Sequence, residues 1–173
     1  MTTATEAPTL SEAAAKFRAR MLGYLWFRGF TLLKLPLAAF AGLRVRAIDA
    51  GACDVTVPFG WRSQNPFGSL YFAAHAMAAE MSTGALVLLH ANEHGAGKLS
   101  TLITSMHAGY KKAAKAEVTY RCADGPAIAD AARRAMETGE PVTVEVTTRG
   151  TIAGGEVVGE FTFTWSMKRR GGS

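Results

Sequence analysis

Between Arg62 and Glu93 the chain carries one formally charged residue, Glu80. It lies in residues 69–91, an Ala-, Leu- and Met-rich stretch that is apolar on nearly every side. Removing an ionised carboxylate from water is expensive, and glutamate is almost never fully buried without a partner. A carboxylate held at an internal cleft suits a nucleophile or a general base. The plainer alternative is a water-exposed notch, or a pairing with Arg62 or His75. Just upstream, residues 64–69 read Gln-Asn-Pro-Phe-Gly-Ser, a turn-rich entry to a helix. The free N–H groups and dipole of a helix start can stabilise an oxyanion or polarise a carbonyl; plain capping is the alternative.

Those two features do not meet within one helix. From about residue 72 to Glu80 a helix rises roughly 12 Å at ~1.5 Å per residue. Two antiparallel copies would set each carboxylate beside the other's helix start, which predicts a dimer with sites between subunits.

The elements around this stretch follow from periodicity. A helix apolar all round is a buried helix. Cys53, Val55 and Val57 alternate with Asp54 and Thr56, and Leu43 to Ile48 precedes them across a short turn at 49–51, a hairpin pattern. Residues 99–110 and 117–122 read as two more strands. Val142, Val144 and Val146, then Val157, Phe161, Phe163 and Trp165, mark the last two, with Ala-Gly-Gly at 153–155 as their turn. Residues 126–138 form a short amphipathic helix ended by Gly139. The predicted class is α+β, a curved antiparallel sheet of about six strands wrapped around a long central helix.

The N-terminal part is organised differently. Residues 1–10 read as a disordered lead-in, and 11–42 as helices that start at an Ser11 N-cap, break at Pro36 and end at Gly42. Residues 43–173 then make the main domain, the whole being one domain. The 173 residues carry a formal charge of +5. Residues 1–46 hold seven Lys/Arg against two Glu, so the rest sums to zero. No nucleic-acid-reading module accompanies this excess, so nucleic acid is not an expected partner. The basic, aromatic 16–46 segment could touch a membrane, but packing against the domain or a sister subunit is the favoured expectation. Cys53 and Cys122 are expected to be buried reduced thiols, the start lacks a signal-peptide pattern, and cytoplasm is the expected compartment. His90, His94 and His107 show no metal-ligand spacing, so no metal is expected.

Asn65, Tyr71-Phe72-Ala73 and Glu80 stand at the spacing of a known pattern: Asn, five residues, His-Gly-Gly, six residues, then an acid on the central helix. The chain thus resembles the hotdog-fold, PaaI-like acyl-CoA thioesterases over roughly residues 43–167. Gly109-Tyr110-Lys111-Lys112-Ala113-Ala114 is similar to that family's aromatic-Leu-Arg-Pro-Ala segment. The resemblance implies a homodimer, or a dimer of dimers, hydrolysing an acyl-CoA without a separate cofactor. Glu80 would be nucleophile or general base, Asn65 would position water or thioester, and the Ala73 backbone N–H would polarise the carbonyl. Tyr71, standing where His is usual, would belong to the catalytic set, and Gly68 in the entry loop would contact substrate. Lys111, Lys112 and Arg121 would take the coenzyme A phosphates. Tyr71 and Phe72-Ala73, in place of His-Gly-Gly, also support an alternative, a module that binds acyl-CoA or fatty acyl groups without turnover.

Overall fold

The computed structural model describes residues 10–171. The lead-in expected at 1–10 lies almost wholly outside them. Ser11 caps the first helix, α1 (Glu12–Leu22), by accepting the Ala14 N–H at 3.3 Å. The sequence pattern suggested an unbroken helix to Pro36, but Gly23 interrupts it with an extended backbone and α2 (Tyr24–Lys34) follows. Leu35 leaves helical geometry, Pro36 opens α3 (Pro36–Ala41), and Gly42 closes it at φ 82°, a left-handed conformation that glycine adopts without cost.

The sheet is built by alternation. Strands β1 (Arg44–Ile48) and β2 (Cys53–Val57) form the expected hairpin, whose turn is locked by Asp49 Oδ1 accepting the Gly51 and Ala52 N–H groups. The long apolar stretch becomes α4 (Phe72–Glu93). After it come β3 (Leu99–Tyr110), β4 (Val118–Cys122), α5 (Gly125–Thr138), β5 (Val142–Thr151) and β6 (Val157–Arg169). The last two strands run several residues further than alternation suggested, because they pair from Val142↔Met167 to Gly150↔Gly159 and, after a register shift, at Thr151↔Val157. All pairings are antiparallel, in the order β1-β2-β4-β5-β6-β3.

This curved six-stranded sheet wraps α4, and the N-terminal helices and α5 pack beside it. That is the hotdog arrangement. By length and composition α4 could cross a membrane, yet it is mostly buried inside the domain. Its core partners are inward residues such as Val55, Val57, Tyr120, Val146, Phe161 and Phe163, each 0–1 % exposed. Burying one such large side chain contributes about 1.5–3 kcal/mol. Hydroxyls on the helix are satisfied within this core: Ser82 donates to Ala79 O at 2.7 Å and bonds Thr148 Oγ1 at 2.8 Å. Cys53 and Cys122, distant in sequence, face each other across β2 and β4 as buried free thiols. Burial pushes the Cys122 thiol up to about 11, which keeps it protonated and unreactive.

Tyr120 explains two glycines on neighbouring strands. A Cβ at Gly150 would lie 2.5 Å from its ring, and one at Gly159 would lie 2.9 Å from its hydroxyl. Gly150 and Gly159 are paired in register on β5 and β6. Together they leave the slot in which Tyr120 lies against the sheet.

Candidate active site

Glu80 occupies the middle of α4 and projects into apolar surroundings. Two adjoining cavities, about 250 and 320 Å³, share Glu80, Met81 and Leu35 in their walls. Phe27, Phe30 and Trp165 complete the first, and Lys34, Pro36 and Leu37 the second. The N-terminal helices therefore build much of the carboxylate's environment. Neither of the alternative pairings, with Arg62 or with His75, is formed. Burial alone pushes the Glu80 carboxyl above the usual carboxylate range.

Space for this carboxylate comes from Gly84, one turn later. A Cβ there would lie 2.8 Å from Glu80 Oε1 and 3.4 Å from the Trp165 ring. Trp165 is fixed in turn, because its indole N–H donates to Thr83 Oγ1 at 3.1 Å and Thr83 donates to the Glu80 carbonyl at 2.9 Å. A glycine inside a helix costs roughly 0.5–1 kcal/mol relative to alanine. Here it makes room for the acid's head group.

The start of α4 faces a different cavity, of about 490 Å³. Asn65, Tyr71, Phe72, His75, Lys111 and Lys112 are among its lining residues. Asn65 folds its own loop, since its Oδ1 accepts the Phe67 and Ser69 N–H groups at 3.0 and 3.2 Å. Its Nδ2 donates to Ser69 Oγ at 3.0 Å. Ala74 and His75 both donate to Tyr71 O, whereas the Phe72 and Ala73 N–H groups have no backbone acceptor among the described residues, and no side chain caps the helix. Two N–H donors are thus free where the helix dipole is positive.

His75 lines this cavity while its Nδ1 bonds the Tyr120 hydroxyl at 2.7 Å. Burial lowers its pKa to about 4, so the imidazole is neutral near pH 7. Lys112 donates to Glu156 at 2.7 Å, and the Lys111 N–H is held by Val158 O.

The predicted site residues therefore divide into groups. Asn65, Tyr71, Lys111 and Lys112 come together around one cavity, and Glu80 stands in another. Gly68 turns the entry loop at φ 75°, and its N–H donates to Asn65 O at 3.1 Å. Arg121 is not with the lysines. It sits on β4 opposite Asp54, with Nη1 2.9 Å from both carboxylate oxygens, because strand register sets the two side by side. Trp165 and Gly84 were not singled out for this site from the sequence, where His75 was weighed only as a partner of Glu80 and Tyr110, which also lines the helix-start cavity, only as part of the 109–114 segment. Gly84 left a signal there, as a glycine one turn after the lone acid.

Chemically, one helix carries an acid that has no partner among the described residues, in an apolar cavity, and, about 12 Å away, free N–H donors beside two lysines. Among the described residues no three His, Cys, Asp or Glu side chains gather closely enough to hold a metal ion.

Solved structures share this fold. A Pseudomonas aeruginosa protein of unknown function, described as a probable thioesterase, superposes with a TM-score of 0.73 at 23% identity, covering 86% of this chain and 97% of its own. A Haemophilus influenzae thioesterase gives a TM-score of 0.59 at 14% identity, covering 80% and 87%. A mutant thioesterase, also from Pseudomonas aeruginosa, gives 0.62 at 16% identity, covering 96% and 98%. No curated protein matches the chain. A family profile matches residues 23–167, from the start of the second helical segment to the last strand, and by that match the chain belongs to the family described as Domain of unknown function (DUF4442).

Proposed function

We propose that the protein hydrolyses an acyl-CoA thioester at composite sites in a homodimer. The observation that carries this reading is the separation of the unpaired Glu80 carboxylate from the free N–H end of its own helix. Antiparallel docking of two copies brings each acid to the other copy's helix start. The surface for such docking is β3, the sheet edge, where Leu102, Met106 and Tyr110 are exposed along one strand. An exposed apolar edge strand is a template for pairing.

In this reading Glu80 takes a proton from water, and the hydroxyl adds to the thioester carbonyl carbon. The Phe72 and Ala73 N–H groups hold the developing oxyanion. The C–S bond then breaks, and the leaving thiolate recovers the proton from Glu80. Asn65 shapes the loop at the helix start, and Lys111 and Lys112 meet the coenzyme A phosphates. Coenzyme A arrives as part of the substrate, and no further cofactor is required.

A second reading, binding without turnover, draws on the helix start itself. The Tyr71 and Phe72 rings meet edge-on at 4.7 Å and stand where backbone alone would give closer access. Thiol release from a panel of acyl-CoAs, acetyl to long-chain and aryl, separates the two for wild type and Glu80→Ala. Turnover lost in the variant supports hydrolysis. Binding with no cleavage by either protein supports the second reading.

A further inference from the structure

Helix α2 is apolar on two sides. Its inner side packs Phe27 and Thr31 into the domain. Its outer side, continued into α3, carries Leu25, Trp26, Leu32, Leu33 and Leu37, all exposed, with Leu25 at 83% and Leu33 at 81%. Gly29 lies along the same stripe, and a Cβ there would meet nothing within 4 Å. Such a continuous exposed apolar patch marks an interaction surface.

Its chemistry points to one kind of partner. From residue 13 to residue 48 every charged residue is Lys or Arg. Two of these cations meet aromatics at its margin, Arg20 over the Trp26 ring at 5.6 Å and Arg44 over the Tyr24 ring at 5.2 Å, and an exposed third, Lys34, ends α2 between the exposed Leu33 and Leu35. Leucines that can enter acyl chains, with Trp and Tyr at their margin and cations at headgroup level, are what a bilayer interface selects. A second copy docking stripe to stripe would bring like charges together, with no acid in the segment to offset them.

We propose that the outer face of α2 and α3 docks on a bilayer containing anionic lipid. The face adjoins the acid's cavity, since the exposed Leu35 and Leu37 also wall it. If Glu80 cleaves thioesters, which is the reading above, an acyl chain held in the bilayer lies beside its cavity. Docking itself does not rest on that reading.

The test is flotation of the full chain with vesicles of phosphatidylcholine alone or mixed with phosphatidylglycerol, at low and high salt. Wild type should float with the mixed vesicles only, and high salt should release it. Each cation contributes roughly 1 kcal/mol near an anionic surface, about a fivefold change in binding. Arg20→Glu with Lys34→Glu and Arg44→Glu should therefore weaken binding at least a hundredfold, on the order of three such steps. Leu25→Glu with Leu33→Glu should abolish it, while circular dichroism and melting show an intact fold. This leucine variant should keep wild-type turnover of a short, water-soluble acyl-CoA without vesicles. Absence of turnover in both proteins would count against the thioesterase reading and leave the lipid result standing. Equal flotation with neutral vesicles, no flotation, or a leucine variant that still binds overturns the proposal. So does a leucine variant whose mass by light scattering falls to a smaller oligomer while lipid binding persists, which would make the stripe a contact between copies.

Discussion

Gly84 lies one helical turn from Glu80, and its missing side chain leaves the room in which the Glu80 carboxylate sits, 2.8 Å from where a Cβ would stand. The atom that must give way is the end of a flexible chain. Gly84→Ala should therefore fold normally and melt at or above the wild-type temperature, because alanine favours helix by roughly 0.5–1 kcal/mol. Thioester turnover should fall tenfold or more, about 1.4 kcal/mol of lost positioning. A melting curve and a steady-state assay on the same sample check both halves.

Glu80→Gln should separate stability from activity in the same way, for an electrostatic reason. Burial raises the carboxyl's pKa in the folded protein, so the fold favours the protonated form. Stability is lost as pH rises from the unfolded pKa through the folded one, and at pH 7 the ionised acid is a cost. Glutamine removes that cost, and each kcal/mol relieved raises Tm by about 2–4 °C. The gain should vanish at low pH, where both proteins carry a neutral side chain. Turnover by wild type should rise with pH through an apparent pKa above the ordinary carboxylate range, and the variant should show none.

The composite site predicts complementation. Glu80→Gln and a second inactive variant altered at the helix start, Phe72→Pro, should each be inactive as homodimers. Unfolded and refolded together, they should recover roughly a quarter of wild-type turnover, since half the dimers are mixed and each holds one intact site. No recovery, with mixed dimers shown by mass, would place all the chemistry within one chain.

Lys111 and Arg121 make opposite predictions. Lys111→Ala should raise KM for acyl-CoA severalfold with little change in kcat, more at low salt than at high, because phosphate contacts are screened. Arg121→Ala should leave kinetics unchanged. Its partner is Asp54, and an exposed pair of that kind contributes about 0–1 kcal/mol.

Gly150→Ala tests the tyrosine slot. A Cβ would meet the Tyr120 ring at 2.5 Å, and Tyr120 is fully buried. Overpacking of this kind costs roughly 1–3 kcal/mol, read as a lower midpoint in denaturant unfolding.

How far the sequence reached depended on the range of the interactions involved. Alternation of Cys53, Val55 and Val57 against Asp54 and Thr56, the all-apolar run around Glu80, and the turn at 153–155 express local periodicity, and they located the helix and strands. Gly23 escaped notice because a helical pattern of apolar residues runs across it, and the extended backbone there shows only in the structure. The spacing from Asn65 to Glu80 put the lone acid in mid-helix and the turn at the helix start, roughly 12 Å apart. It did not show that residues of α2 and α3 wall the Glu80 cavity, that Tyr120 holds His75, or that Arg121 is drawn to Asp54 while Lys111 and Lys112 stay with Asn65. Those outcomes depend on which strands become neighbours. Side chains tens of residues apart meet only after antiparallel register and the wrap of the sheet around α4 have been set, and chain order carries no direct record of that distance.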